Sequence, residues 1–240
     1  MVASGQRLRP VADVVEGVVE ELAGHVDVGA VYWFLRRLFT GYTRTLPAYR
    51  RRLAERFALT GVARKVVGVG SVGTETWILL MEPGDGTEPL LLQAKQAQRS
   101  VLAGYAGQSE YRNQGERVVG QQLMQAVSDI FLGWQSATPP GRRSADFYFR
   151  QLRDWKYYAE IEGMNAAAMT GYGRLCGWTL ARAHARTGDR IAIAAYLGGS
   201  DKFDQAVAGF AETYAGQTER DHAALAGAVA SGRVQAQTGI

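Results

Sequence analysis

The sequence predicts an α+β fold: a small antiparallel sheet with one helix packed on it, flanked by helical segments at both ends. Two observations carry this. Residues 1–60 and the stretch from 165 onward repeat apolar residues at helical spacing, while short apolar runs bounded by turn residues crowd between them. Strands grouped apart from helices indicate α+β, not alternating βαβ units. The expected organisation is a helical segment at 1–60, a small lobe at 61–155 and a helical lobe at 156–240.

Taken in order, Val11, Val15, Val18 and Leu22 mark one face of a helix at 10–24, and Val31, Phe34, Leu35 and Leu38 mark a second at 28–40. Gly41 and Pro47 are expected to interrupt it before a third helix at about 47–58. Three strands are expected at about 64–70, 75–82 and 89–96, with Pro83-Gly84-Asp85-Gly86 turning the second into the third. A helix follows at about 112–128, with Val119, Leu123, Val127 and Ile130 on its inward face. Two more strands, Asp129 to Trp134 and Phe147 to Leu152, flank Pro139-Pro140-Gly141. The final helices carry Tyr172, Cys176, Thr179 and Ala183 on one face, and Phe203, Val207, Phe210 and Tyr214 on another.

Composition narrows the class. A chain of 240 residues, 47% of it apolar, can bury a sizeable core as one large domain or two small lobes. It has no run of about 18 apolar residues to span a bilayer, and no apolar stretch follows Met1 to Pro10 as in a secretory signal. Cys176 is the single cysteine, which fits a reducing, cytoplasmic setting, and its place on an apolar helix face marks it as core. His25, His184 and His222 are far apart and no Cys-x-x-Cys occurs, so no metal site is expected. His184 reads as packing or a helix-end hydrogen bond. The net charge is +4, with a dense run at Arg50, Arg51 and Arg52 followed by Arg56, Arg64 and Lys65. Such a run can bind a nucleic-acid backbone. Tyr49, Leu53 and Phe57 recur every four residues, however, so a solvated helix face accounts for the arginines better.

The chemistry is concentrated in Gly68-Val69-Gly70-Ser71-Val72-Gly73. The Gly-x-Gly-x-x-Gly spacing serves two unrelated phosphate-binding folds. In a dinucleotide-binding fold the loop opens a helix. Here Thr74-Glu75-Thr76-Trp77-Ile78-Leu79 follows, a run that favours strand. Strand, loop and strand make the glycine flap of a protein kinase, whose small residues let the backbone lie over ATP phosphates. A plain hairpin with glycines at positive φ is the alternative. In a kinase-type site the next strand supplies a lysine to the phosphates, and Lys95 closes the apolar run Leu90 to Ala94. A glutamate on the following helix then orients that lysine. Glu116 is the chosen acid, with Glu110 a rival, and Lys95 and Glu116 are expected within about 4 Å. Phe147 to Leu152 would lead to the hinge where adenine binds.

The catalytic acids are the weak part. His-x-Asp-x-x-x-x-Asn and Asp-Phe-Gly are expected after a kinase small lobe. The chain offers His184-Ala185-Arg186-Thr187-Gly188-Asp189, with Ala194 in the asparagine's place, and then Asp201 and Asp204. Asp189, Asp201 and Asp204 are the weak catalytic candidates, and Asp201 suits the start of a helix better.

These same segments resemble the bacterial family named domain of unknown function 2252. The resemblance runs through Lys65 to Thr74, Leu92-Gln93-Ala94-Lys95, Gly115 to Val119, Leu123-Met124-Gln125, Ser128 to Trp134 and Arg150 to Asp154. It continues in Cys176 to Arg186, Tyr196-Leu197-Gly198 and Gln217 to Asp221, and covers about 45–235. It implies a kinase-like relationship of the aminoglycoside and small-molecule phosphotransferase type. Longer members carry Gly-Asp-x-His-x-x-Asn and Asn-Asp-Phe-Asp segments upstream of the glycine loop, and nothing before Val66 matches either. The family's acidic residues therefore have no counterpart here, and the chain looks like the family's C-terminal portion.

Two functions follow as expectations. One is the ATP-binding part of a small-molecule phosphotransferase, with Gly68, Gly70, Ser71, Gly73, Lys95 and Glu116 at the nucleotide, magnesium use left open, and a partner chain supplying the missing acids. The other is a non-catalytic nucleotide-binding or protein-interaction remnant. A basic nucleic-acid module is a third.

Overall fold

The computed structural model describes residues 28–65, 73–86, 88–152 and 159–236. The helix expected at 10–24, and Val66, Val67, Gly68, Gly70 and Ser71 of the first strand and glycine loop, lie outside the described residues. The chain divides into two compact units, Met1–Cys176 and Gly177–Ile240.

In the first unit, helix α1 (Val28–Thr45) and the short α2 (Ala48–Ala54) precede five strands, β1 (Phe57–Arg64), β2 (Thr76–Pro83), β3 (Leu90–Ala97), β4 (Gly133–Ala137) and β5 (Ala145–Gln151). Helix α3 (Gln114–Val119) lies between β3 and β4. The strands form one antiparallel sheet in the order β1-β2-β3-β5-β4, so β3 sits at its centre. The second and third expected strands are present as β2 and β3, but the strand pairing with β2 is Phe57–Arg64, earlier than the expected 64–70, of which residues 66–70 lie outside the described residues. The turn after Pro83 is also as expected, closed by the Gly86 N–H on the Pro83 carbonyl at 3.4 Å with Gly86 at φ 71°. Strand β2, not a helix, follows Gly73, which removes the dinucleotide-binding reading of the loop.

The core forms where α1 meets one sheet face. Val31, Phe34, Leu35, Leu38 and Tyr42 recur at helical spacing and pack with Trp77, Leu79, Met81, Leu92, Ala94, Phe147 and Phe149. Each fully buried large side chain contributes about 1.5–3 kcal/mol, far more than the tenths per residue that helix propensity supplies. Packing therefore carries α1 through Gly41, where a helix break was expected. The side chain of Gln135 occupies the space a Cβ at Gly41 would need, 2.5 Å from Gln135 Cδ. Tyr42 is the anchor. Its ring stacks on Phe149 at 4.1 Å and covers Gly133, whose missing Cβ leaves room for the ring. Its hydroxyl donates to the Phe131 carbonyl at 2.6 Å.

Several boundaries move, each for a physical reason. Helix α2 stops at Ala54 and Phe57 opens β1, because Phe57 packs on the core from the sheet while Tyr49 is 69% exposed. Arg51 is not simply solvated. Its guanidinium donates to the carbonyls of Thr43, Arg44 and Leu46 at 3.0–3.2 Å, satisfying acceptors that the end of α1 leaves open. The helix expected at 112–128 is only α3, followed by a 3₁₀ turn at Gly120–Met124. Leu123, Val127 and Ile130 are exposed, so the inward face assigned to them does not form.

Helix α4 (Ala166–Thr187) spans the boundary between the units and buries none of its residues, so Cys176 is exposed where core was expected. Helical spacing names the apolar side of a helix but does not supply the element that covers it. In the second unit, α5 (Arg190–Leu197) and α6 (Lys202–Ala230) follow, with Tyr196 edge-on to Phe203 and Phe210 stacked on Tyr214. Phe203, Val207, Phe210 and Tyr214 do line up along α6, each still exposed. Among the described residues no helix is long and apolar enough to cross a membrane.

Burial, reinforced by the nearby Asp129 carboxylate, holds the Tyr42 hydroxyl far above the ordinary tyrosine pKa of 10.0. A raised folded-state value favours the neutral phenol, so its contribution is intact below about pH 10 and falls as pH rises past it. Tyr42→Phe should cost about 1–2 kcal/mol near neutral pH in urea denaturation, because the Phe131 carbonyl loses its donor. The variant should also lose less stability than the parent between about pH 10 and 11. Equal alkaline losses in the two proteins would contradict this role.

Candidate functional site

Strand alternation sends every second residue of β2, β3 and β5 to the face opposite the core. Because Trp77, Leu79, Leu92, Ala94, Phe147 and Phe149 face α1, the other face receives Thr76, Ile78, Gln93, Lys95, Tyr148 and Arg150. Thr76, Lys95 and Tyr148 lie side by side across three strands, and Ile78, Gln93 and Arg150 form the next row. Arg150 Nε donates to Gln93 Oε1 at 2.9 Å. Tyr148 has its pKa raised by burial, with Arg150 pulling the other way. Thr76 is 1% exposed, and its hydroxyl has no hydrogen-bond partner among the described residues. A buried, unpaired hydroxyl is uncommon and calls for a partner.

Lys95 sits directly opposite Thr76, the first residue of β2. The Lys65 N–H pairs with the Thr76 carbonyl at 2.9 Å, so the 65–75 connection leaves and re-enters the sheet beside Lys95. Within it Gly73 adopts φ 77°, a conformation that favours glycine. Glu75 pins the far end of the connection. Its backbone N–H donates to Gln96 Oε1 at 3.1 Å and its carbonyl accepts from the Gln96 N–H at 2.8 Å. Its buried carboxylate accepts from Trp77 Nε1 at 3.3 Å and pairs with Arg142 at 3.2 Å. Glu75, Thr76, Gln93 and Arg150 were not singled out in the sequence, although the last three follow from alternation once Lys95 is placed.

Helix α3 brings Glu116 toward this part of the fold. It is six residues long, too short to persist without tertiary help. Polar contacts supply that help. Asn113 caps it, its Oδ1 accepting from the Glu116 N–H at 2.9 Å while its Nδ2 donates to Ser136 and Asp146 at 2.6 and 2.8 Å. Asp146 Oδ2 accepts from the Gln114 N–H at 2.8 Å, and Ser136 donates to Asp146 Oδ1 at 2.7 Å. Gly115 lets the helix close on β5, since a Cβ there would strike the Phe147 carbonyl. Glu116 is half-buried in the first turn, its backbone N–H held by the Asn113 cap. Glu110 is exposed, and Asp129 accepts from the backbone of Phe131 and Gln151.

The catalytic candidates lie in the second unit, where two serve helix starts. Asp189 caps α5, accepting from the Ile191 and Ala192 N–H groups at 2.9 and 3.0 Å. Asp201 precedes α6 and accepts from Gln205 Nε2 at 2.6 Å, and Asp204 lies in the first turn. His184 sits in the last turn of α4, where its carbonyl accepts from the Gly188 N–H at 2.7 Å. Among the described residues no group of three His, Cys, Asp or Glu side chains could hold a metal ion.

Asp146→Ala should cost about 1–3 kcal/mol, since it strands donors from Asn113, Gln114 and Ser136. Hydrogen exchange should quicken across 113–119 while α1 stays protected. Unchanged exchange in α3 would show that the polar clamp does not hold it.

No curated protein and no solved structure matches the chain. The family described as "Uncharacterized protein conserved in bacteria (DUF2252)" matches residues 22–228, which takes in both units. The chain belongs to that family.

Proposed function

We propose that this chain is the ATP-binding portion of a kinase-like small-molecule phosphotransferase, and that alone it binds nucleotide without transferring phosphate. One observation carries the reading: Lys95 stands opposite Thr76 at the end of the sheet where the glycine-bearing connection joins β1 to β2. A cation on a central strand beside a glycine-rich turn between two strands is the phosphate-holding arrangement of kinase-type sites. The residues around it suit an anion. Arg150 adds a second positive charge on the same face, and the buried Thr76 hydroxyl has a hydrogen to donate.

In this reading Gly68, Gly70, Ser71 and Gly73 line the phosphates, Lys95 contacts their oxygens, and Glu116 orients Lys95 when α3 moves toward the sheet. Opening and closing of such a pair is a familiar switch in kinases. The sequence carries neither His-x-Asp-x-x-x-x-Asn nor Asp-Phe-Gly, the motifs that would activate an acceptor and fix magnesium. Asp189 and Asp201 are engaged at helix starts, and the described residues present no cluster of metal ligands. A partner chain supplying those acids would complete the site, and the acceptor would be a small molecule.

Calorimetry with ATP, with and without magnesium, tests this directly. Binding should be measurable and change little with magnesium. Lys95→Ala should weaken it about tenfold or more, the loss of one charge-assisted contact. Absent binding, or binding indifferent to Lys95→Ala, would contradict the proposal. Robust phosphate transfer by the isolated chain would overturn its inactive half and bring Asp189, Asp201 and Asp204 forward for mutation.

A further inference from the structure

A cavity of about 280 Å³ lies in the connection between β3 and α3. It is lined by Arg99, Ser100, Ser109, Tyr111, Gln114 and Arg117 among others, and neither Lys95 nor any acidic residue is among its described lining. Several of its polar side chains have hydrogens to offer. Ser100 Oγ accepts from the Leu102 N–H and Ser109 Oγ from the Tyr111 N–H, both at 3.2 Å, so each hydroxyl hydrogen is left to donate. Gln114 Oε1 accepts from Arg117 Nε at 2.9 Å, which leaves the amide Nε2 as a donor. Arg117 also donates from Nη2 to the Gln98 carbonyl at 2.9 Å, a contact that holds its guanidinium in place, while its Nη1 makes no hydrogen bond among the described residues. Arg99, also in the lining, is exposed just past the end of β3.

We propose that this cavity is an anion-binding site for a compact small molecule carrying phosphate or carboxylate groups. Two guanidiniums beside hydroxyl and amide donors, with no acid in the described lining, favour an acceptor-rich and negatively charged occupant. The volume lies just below the ~300–1,000 Å³ range of drug-sized ligand sites, which suits a small polyanion better than a whole nucleotide. An occupant held by Arg99 from the end of β3 and by Arg117 from α3 would tie the two elements together. The site stands independently of the nucleotide reading, because none of its residues belongs to the Lys95 face.

The full chain titrated calorimetrically with pyrophosphate and, separately, with citrate at low salt tests the proposal. At least one should bind with a stoichiometry near one, and the tighter of the two assigns the site to phosphate or to carboxylate. Arg99→Glu should weaken that binding about tenfold or more. Arg99 is exposed, so this substitution leaves the fold intact, as a thermal melt verifies. Arg117→Gln should have at least as large an effect, and in a Lys95→Ala background binding should persist and keep its dependence on Arg99 and Arg117. Binding of neither anion, or binding lost in Lys95→Ala but kept in Arg99→Glu, would overturn the proposal.

Discussion

A β-strand can bury only one of its two faces against a given helix, and that constraint organises the first unit. Helix α1 settles which face. With Tyr42 stacked on Phe149 and seated over Gly133, the apolar alternates of β2, β3 and β5 are committed to the core. Thr76, Gln93, Lys95, Tyr148 and Arg150 are then forced together on the other side. The polar cluster is thus a consequence of core packing, and a one-residue slip of β3 would exchange Lys95 for Ala94. The glycines at 41, 115 and 133 serve this geometry too, because each marks a place where a side chain or backbone approaches too closely for a Cβ.

Hydrophobic burial is less important for α3. Six residues give too little apolar surface to hold a helix, and the apolar residues after it are exposed. A polar clamp of Asn113, Ser136 and Asp146 sets its position instead. Such contacts are individually weaker than core packing but directional. An element held this way can shift against the sheet at lower cost than α1 could. Arg117, the neighbour of Glu116, lines the cavity between β3 and α3 from the same short helix.

The parts of this arrangement legible in the sequence are those governed by short-range periodicity. The spacing of Val31, Phe34, Leu35 and Leu38 locates α1, and the β-branched run after Gly73 marks a strand, not a helix. The turn at Pro83 to Gly86 and the strand ending near Lys95 were equally local. Misplaced features depended on partners distant in the chain. Phe57 continues a four-residue spacing, yet pairs with Pro83 and belongs to β1. Leu123, Val127 and Ile130 fit one helix face, but the helix stops at Val119. Cys176 lies on an apolar stripe that nothing in its own helix obliges the fold to cover. The clamp at Asp146 and the Glu75–Arg142 pair join residues from separate elements, and local pattern carries no trace of them.

The most direct test of the nucleotide site is a crystal structure of the chain grown with saturating ATP. Electron density should lie on the Lys95 face of the sheet beneath Gly68 to Gly73, with phosphate oxygens within hydrogen-bond reach of Lys95 Nζ and Thr76 Oγ1. Nucleotide density elsewhere on the molecule, with that face vacant, would contradict the proposal.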